Sequence, residues 1–137
     1  MTVKHPGTIG RGAFVHFTAF TFASGSSKSK FAVVLENPVQ ALESLVVVLT
    51  TSLIAKYGLT PGTVPVRDGL LPGLPGPTVI DCNNLHLVKY DELCSVGVSH
   101  LGQVPDEVMS KITKALAEAT SAPEALVARA LIAARRR

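Results

Sequence analysis

A short run of hydroxyl side chains directly follows one of the most apolar segments of the chain. The segment Leu45–Leu49 holds five consecutive apolar residues, and Thr50, Thr51 and Ser52 come next. A hydroxyl can donate a hydrogen bond to an anionic oxygen, which makes this run a candidate site for an oxyanion or a phosphate. The alternative is structural, because Thr and Ser at a strand end commonly satisfy backbone groups in turns.

Two lysines and a histidine could supply the charge and the proton transfer that such a site needs. Lys28 and Lys30 come before a second apolar run, Phe31–Leu35. An ammonium group can neutralise an anion, although it binds with less directionality than a guanidinium. His16 lies among aromatic residues, and it is a candidate proton shuttle or substrate contact because the reference pKa of a histidine side chain lies near neutrality. The alternatives are solvated loop lysines and a structural histidine.

Asp81, Cys82, His86 and Cys94 do not have the spacing of a metal site. No Cys-x-x-Cys or His-x-x-x-His pair occurs among them. The glycine-rich segment 69–76 matches neither a phosphate-binding loop nor a dinucleotide fingerprint, and the chain has no GxSxG motif. We therefore expect no metal and no other cofactor.

The composition is typical of one globular domain. The chain has 137 residues, of which 47% are hydrophobic and 17% charged, and it is long enough to bury one core. No apolar run approaches the roughly 18 residues of a membrane-spanning helix, and the N-terminus lacks an apolar signal core. Two cysteines are too few for a disulfide scaffold. We expect a cytoplasmic protein with reduced thiols and no membrane partner.

The net charge of +3 comes from the C-terminal end of the chain. Residues 1–128 are close to neutral, and the excess lies in Arg129 and in Arg135, Arg136 and Arg137. A basic end can bind a nucleic acid or another anionic partner. Arginines in a last helical turn also complement the helix dipole, and the sequence leaves both interpretations open.

The first two thirds of the chain favour strands and the last third favours helices. Proline and glycine interrupt the segment 58–77, and the segment 23–29 is predicted to be a flexible loop. The predicted strands are 13–22, 31–36, 45–50, 63–66, 78–80 and 85–90. A helix is predicted from Pro105, and a second follows the capping-box pattern Ser121–Glu124. Strands first and helices last predict an α+β fold.

The order of these elements resembles the MazF/PemK-type toxins of bacterial type II toxin–antitoxin systems, from about residue 12 to residue 119. The resemblance rests on short motifs that recur in the same order. They are Gly12–Val15 in the opening strand, Lys30–Leu35, Val46–Ser52, Thr78–Asn83, Gly102 and the helix from Pro105.

The resemblance implies a small SH3-like barrel of strongly bent antiparallel strands with C-terminal helices. It assigns residues 1–120 to the barrel domain with its terminal helix, and 121–137 to an extra helix with a basic end. It also implies a homodimer, an antitoxin protein as a partner, and cleavage of single-stranded RNA without a metal. In that reaction the 2′-hydroxyl attacks the adjacent phosphate, and a basic residue and a hydroxyl stabilise the phosphorane.

Lys30 falls where the family usually has arginine, and Thr51 or Ser52 falls on the hydroxyl position. Lysine cannot make the two-pronged contact with phosphate oxygens that arginine makes. An impaired module that binds RNA or a protein partner without cutting is therefore the alternative function, and a structural or regulatory homodimer is a third. The predicted catalytic residues are Lys30, Thr51 and Ser52, and the predicted substrate contacts are Lys28, His16 and Thr50.

Overall fold

The computed structural model describes residues 9–22, 24–38, 44–51, 61–67, 69–74 and 76–135. Within these residues the chain forms six strands followed, with one short exception, by helices. The strands are β1 (Ala13–Thr21), β2 (Ser27–Val34), β3 (Ser44–Thr51), β4 (Thr63–Val66), β5 (Thr78–Lys89) and β6 (Val98–Gln103). The helices are α1 (Tyr90–Leu93), α2 (Asp106–Glu118) and α3 (Glu124–Arg135). The fold is α+β, as the sequence predicts.

The strands form one antiparallel sheet in the order β4-β5-β3-β2-β1-β6. The sheet is strongly curled. The ring centroids of Phe20 on β1 and His86 on β5 are only 5.0 Å apart, although β2 and β3 lie between these strands. Strand twist and the register shift in β1 between Phe17 and Phe20 allow this curvature. The result is the barrel-like sheet that the resemblance implies.

Alternating side chains divide the sheet between two apolar cores. The barrel core lies on the face around which the sheet curls, and its sheet members include Phe17, Phe20, Ala32, Val34, Val47, Leu49 and Val88. The helix-side core lies on the other face. It joins sheet residues such as Phe14, Val33, Val48 and Ile80 to Val108, Met109, Ile112, Ala115 and Leu116 of α2 and to Ala130 of α3.

Two strands extend beyond their predicted bounds. β2 begins at Ser27, not at residue 31, because Ser27 and Lys28 pair with the end of β1. This polar part of the hairpin is exposed on both faces, so its side chains give no strand periodicity. Likewise, 78–80 and 85–89 are parts of the single strand β5. Between them Asp81 pairs with Thr63 of β4, and the backbone N–H of Cys82 donates to the carbonyl of Gly62.

β6 is a strand that the sequence analysis did not predict. Its residues alternate poorly between apolar and polar, and Gly102 interrupts them. Gly102 has a φ of +149°. A Cβ atom at this position would lie 2.9 Å from Cβ of Pro72. The glycine therefore lets the segment 69–74 pack on β6, where it buries Leu71 in the helix-side core.

Helix α3 is fixed to the sheet by a salt bridge. Arg129 Nη2 lies 2.8 Å from Oε1 of Glu36, a buried carboxylate, and Arg129 Nε donates to Oε2 at 3.1 Å. Oε1 also accepts from the backbone N–H of Val46, and Arg129 donates to the carbonyl of Ser44. The position of Arg129 in the sequence suggests that it belongs to a free basic end. In the structure it is instead paired with Glu36.

Asn83 of β5 joins two other parts of the chain, the turn that precedes β4 and the residues that follow α2. Its Oδ1 accepts from the backbone N–H groups of Thr120 and Ser121, each at 2.9 Å, and its Nδ2 donates to the carbonyl of Pro61. Gly62 beside it has a φ of +87°, and a Cβ atom there would lie 2.9 Å from Cα of Ala119.

No helix within the described ranges has the length and apolar character needed to cross a bilayer.

Candidate active site

Lys30 and Thr51 lie at the same end of two neighbouring strands. β2 and β3 pair through Ala32–Leu49 and the two pairs that follow, and this register continued toward the start of β2 sets Lys30 opposite Thr51. A hydrogen bond of 3.4 Å from Thr50 Oγ1 to the carbonyl of Phe31 agrees with that register. Alternation then directs Lys30 and Thr51 to the face of the barrel core.

Both side chains are half-buried at the rim of that face. The Lys30 ammonium lies 6.0 Å from the centroid of the Phe22 ring, at the outer limit of a cation–π contact. The carbonyl of Thr51 accepts a hydrogen bond of 2.9 Å from Thr78 Oγ1, which fixes the end of β3 to β5. The rim therefore presents a cation and a hydroxyl on two tied strands.

The predicted contacts His16 and Thr50 lie on the opposite face. The His16 ring packs on that of Phe31 in a tilted arrangement, with 4.6 Å between centroids, and its Nε2 is 2.6 Å from Oγ of Ser29. Thr50 is buried and uses its hydroxyl on the Phe31 carbonyl. Both residues therefore contact Phe31, and their side chains lie on the face opposite to that of Lys30.

Lys28 is exposed on β2, two residues before Lys30, and alternation puts it on the same face. Ser52, Arg136 and Arg137 lie outside the described residues. Arg135 is exposed in the last turn of α3, where a positive charge complements the helix dipole.

A histidine that the sequence analysis did not include in this site lies beside the Lys30–Phe22 pair. The ring of His86 is 6.0 Å from that of Phe22 and 5.0 Å from that of Phe20, with edge-on geometry in both cases. His86 pairs with Val47 of β3, which puts it on the barrel-core face with Lys30. The alternation of 85–90 indicated this face, but only the curled sheet brings β5 to the end of β1.

Asn84 orients the His86 ring. Its Oδ1 lies 2.7 Å from His86 Nε2, and since an amide oxygen only accepts, the imidazole carries its proton on Nε2. Burial lowers the pKa of His86 below the usual 6.5. Its neutral form at pH 7 therefore has an unprotonated Nδ1, and no other described residue hydrogen-bonds that atom.

The two cysteines do not join His86 in a cluster. Cys82 belongs to the helix-side core and Cys94 to the barrel core. Burial, with a smaller contribution from the Asp81 carboxylate, raises the pKa of the Cys82 thiol to about 12. At neutral pH this thiol is protonated and is a poor nucleophile or ligand. Across the described ranges, no three His, Cys, Asp or Glu side chains converge as a metal site would require.

Comparison with known proteins agrees with this fold and with its order of elements. Residues 11–120 match the family described as PemK-like, MazF-like toxin of type II toxin-antitoxin system. No curated protein matches the chain significantly. The family match runs from the residues before β1 to the end of α2 and leaves α3 outside it. Since it covers well over half of the sequence, the chain belongs to the PemK-like, MazF-like toxins of type II toxin–antitoxin systems.

Proposed function

We propose that this toxin is an endoribonuclease that cleaves single-stranded RNA without a metal ion. The observation that carries the proposal is the β2–β3 register, which sets Lys30 opposite Thr51 when it is continued two pairs beyond Ala32–Leu49. In the resemblance these two positions are those of the basic residue and the hydroxyl. A cation and a hydroxyl at one rim suit the charge that develops on a phosphate under attack.

In the proposed reaction the ribose 2′-oxygen attacks the adjacent phosphorus. The Lys30 ammonium neutralises the charge on the non-bridging oxygens, and the hydroxyl of Thr51, or that of Ser52, donates a hydrogen bond to the phosphorane. Lys28, exposed on the same face, attracts the RNA backbone. His16 and Thr50 remain proposed contacts, and RNA would have to pass over the strand ends to reach them.

The wider proposal follows the family. The match over 11–120 supports residues 1–120 as the toxin domain, with 121–137 as an additional helix. The toxin acts in the cytoplasm as a homodimer, and an antitoxin protein neutralises it. Binding of RNA without cleavage is the second candidate function, and Lys30 in place of the family's arginine is the observation that favours it.

The test measures cleavage of short random-sequence single-stranded RNA in a chelating buffer. Wild-type protein should cut it, and Lys30→Ala and Thr51→Ala should each slow cleavage about 100-fold or more, as expected for loss of one charge-stabilising group. Lys111→Ala and Thr120→Ala are matched controls, because both positions are exposed and lie outside the site.

Three outcomes separate the candidate functions. Cleavage that is lost in both site variants and kept in both controls supports the endoribonuclease. Intact RNA that wild-type protein still retards in a gel supports the binding module. RNA that is neither cut nor retarded contradicts both proposals and favours a protein-interaction role.

A further inference from the structure

We propose that His86 is a further catalytic residue, the base that accepts the proton of the attacking 2′-hydroxyl, and that Asn84 is its positioning residue. This inference rests on the proposed RNA cleavage. An ammonium group has no lone pair to accept a proton and a hydroxyl is a very weak base, so neither Lys30 nor Thr51 is suited to remove that proton. The proposed site therefore lacks a base until a third group is added.

The geometry gives His86 three properties of such a base. It lies on the same face of the sheet as Lys30, and both side chains approach the Phe22 ring, each 6.0 Å from its centroid. Its ring is half-buried, so one part remains accessible to a substrate. Its Nε2–H is held by Asn84 Oδ1 at 2.7 Å, which leaves the lone pair on Nδ1.

The groups facing His86 keep its ring neutral near pH 7. Phe20 of β1 and Phe22, which follows β1, approach the ring, Val47 of β3 pairs with His86, and Asn84 is uncharged. Lys30 of β2 is the charged group that shares the Phe22 ring with it, and a cation there does not favour protonation of the imidazole. Burial also lowers the pKa of His86, so burial and the nearby cation both favour the neutral ring.

The proton transfer conserves atoms and charge. Nδ1 of His86 takes the proton from the 2′-hydroxyl while the 2′-oxygen forms its bond to phosphorus. The bond from phosphorus to the 5′-oxygen breaks, the oxygen leaves with the bonding pair, and it takes a proton from water. The imidazolium then returns its proton to solvent. The products are a 2′,3′-cyclic phosphate and a 5′-hydroxyl, and the enzyme is unchanged.

A structural role is the competing explanation, because an aromatic ring between Phe20 and Phe22 fills space whatever its chemistry. His86→Phe separates the two roles, since it keeps a ring for packing and removes both nitrogens. Asn84→Asp tests the positioning residue. A carboxylate beside Nε2–H would raise the pKa of His86. This would shift the pH dependence of the cleavage rate only if His86 exchanges a proton during catalysis.

The experiment measures kcat and KM for random-sequence single-stranded RNA from pH 5 to pH 8, in chelator, with thermal melting as the check on folding. For wild type we expect kcat to rise with pH through a pKa below about 6.5. His86→Phe should lower kcat about 100-fold or more, with little change in KM, and remove this rise. Asn84→Asp should move the rise to higher pH.

His100→Phe is the matched control. His100 lies on β6, and its buried Nε2 has no hydrogen-bond partner among the described residues, so the change removes a histidine without removing a hydrogen bond from Nε2 to that part of the chain. This variant should keep the wild-type rate and pH profile. If His86→Phe fails to fold, the shifted pH profile of Asn84→Asp carries the test.

Failure of the inference differs from failure of the proposed function. If wild type cleaves RNA and His86→Phe stays within about threefold of it with the same pH profile, His86 is structural and the endoribonuclease stands. An unshifted profile in Asn84→Asp leads to the same conclusion. If wild type cuts no RNA at any pH, both proposals are overturned.

Discussion

At the scale of single residues, Lys30 determines how much charge stabilisation the proposed site can supply. Its ammonium is a compact charge on a flexible stem, and Phe22 packs beside it at 6.0 Å. An arginine would add two parallel hydrogen bonds to phosphate oxygens. In the proposed site an anion is therefore stabilised mainly by charge, with a directional hydrogen bond proposed for Thr51. We expect a slower nuclease than an arginine at this position would give.

The first prediction concerns the pH dependence of stability. Because burial lowers the pKa of His86, the unfolded chain takes up a proton at this residue near pH 6.5, whereas the folded chain does so only at lower pH. The contribution of His86 to the free energy of unfolding should therefore be complete above about pH 6.5. The protein should become less stable as the pH decreases below that value. His86→Phe should weaken this dependence. Urea unfolding at about pH 7.5 and about pH 5 measures it, and an equal loss in variant and wild type would contradict the prediction.

The family resemblance associates Lys30 with Thr51 but says nothing of their neighbours. The β2–β3 register, continued beyond Ala32–Leu49, is consistent with that pairing, which remains a prediction. The approach of Phe22 to His86 depends on a bulge in β1 and on the curl of the whole sheet. No local pattern carries that information, so the sequence alone does not associate His86 with Lys30 and Thr51.

At the scale of elements, the predictions were best where an apolar face is continuous. The core-facing positions of α2 and the centres of β1 and β3 follow the apolar pattern of the sequence, which in β3 is a continuous run buried on both faces. The polar start of β2 and the irregular β6 do not, because backbone pairing rather than side-chain burial forms them. The link between α3 and the sheet was also missed, since Glu36 and Arg129 are 93 residues apart.

The second prediction tests that link. Arg129→Met leaves the buried Glu36 carboxylate without its partner and should lower the free energy of unfolding by about 2 kcal/mol, less than for a fully buried pair because Arg129 is partly exposed. Adding Glu36→Gln should recover most of the loss, because a neutral amide can still accept from Val46 N–H. Urea unfolding of the single and double variants completes the cycle. Additive losses would contradict the prediction.

At the scale of the whole molecule, membership of a toxin family implies partners that a single chain does not include. A toxin of this kind is held in check by its antitoxin, and the homodimer is part of our proposal. The charge of the chain does not indicate which partner it binds, because the residues up to 128 are nearly neutral. Arg129 is committed to Glu36, which leaves Arg135 as the exposed basic residue of α3 within the described part of the chain.

The third prediction concerns assembly. We expect the purified chain to be a homodimer, so light scattering after size exclusion should give twice the mass of one chain at micromolar concentration. Arg129→Met serves as a comparison, because a dimer that does not depend on α3 should survive this change. A single-chain mass over the whole concentration range would contradict the homodimer.

The central claim is that Lys30 and Thr51 form an RNA-cleaving site, and the rate of cleavage with three side chains at position 30 tests it most directly. In chelator, random-sequence single-stranded RNA should be cut fastest by Lys30→Arg, more slowly by wild type, and at least about 100-fold more slowly than wild type by Lys30→Ala. Products ending in a 2′,3′-cyclic phosphate would identify the 2′-hydroxyl as the nucleophile. Equal rates for all three proteins, or RNA left intact by wild type and Lys30→Arg alike, would contradict the account.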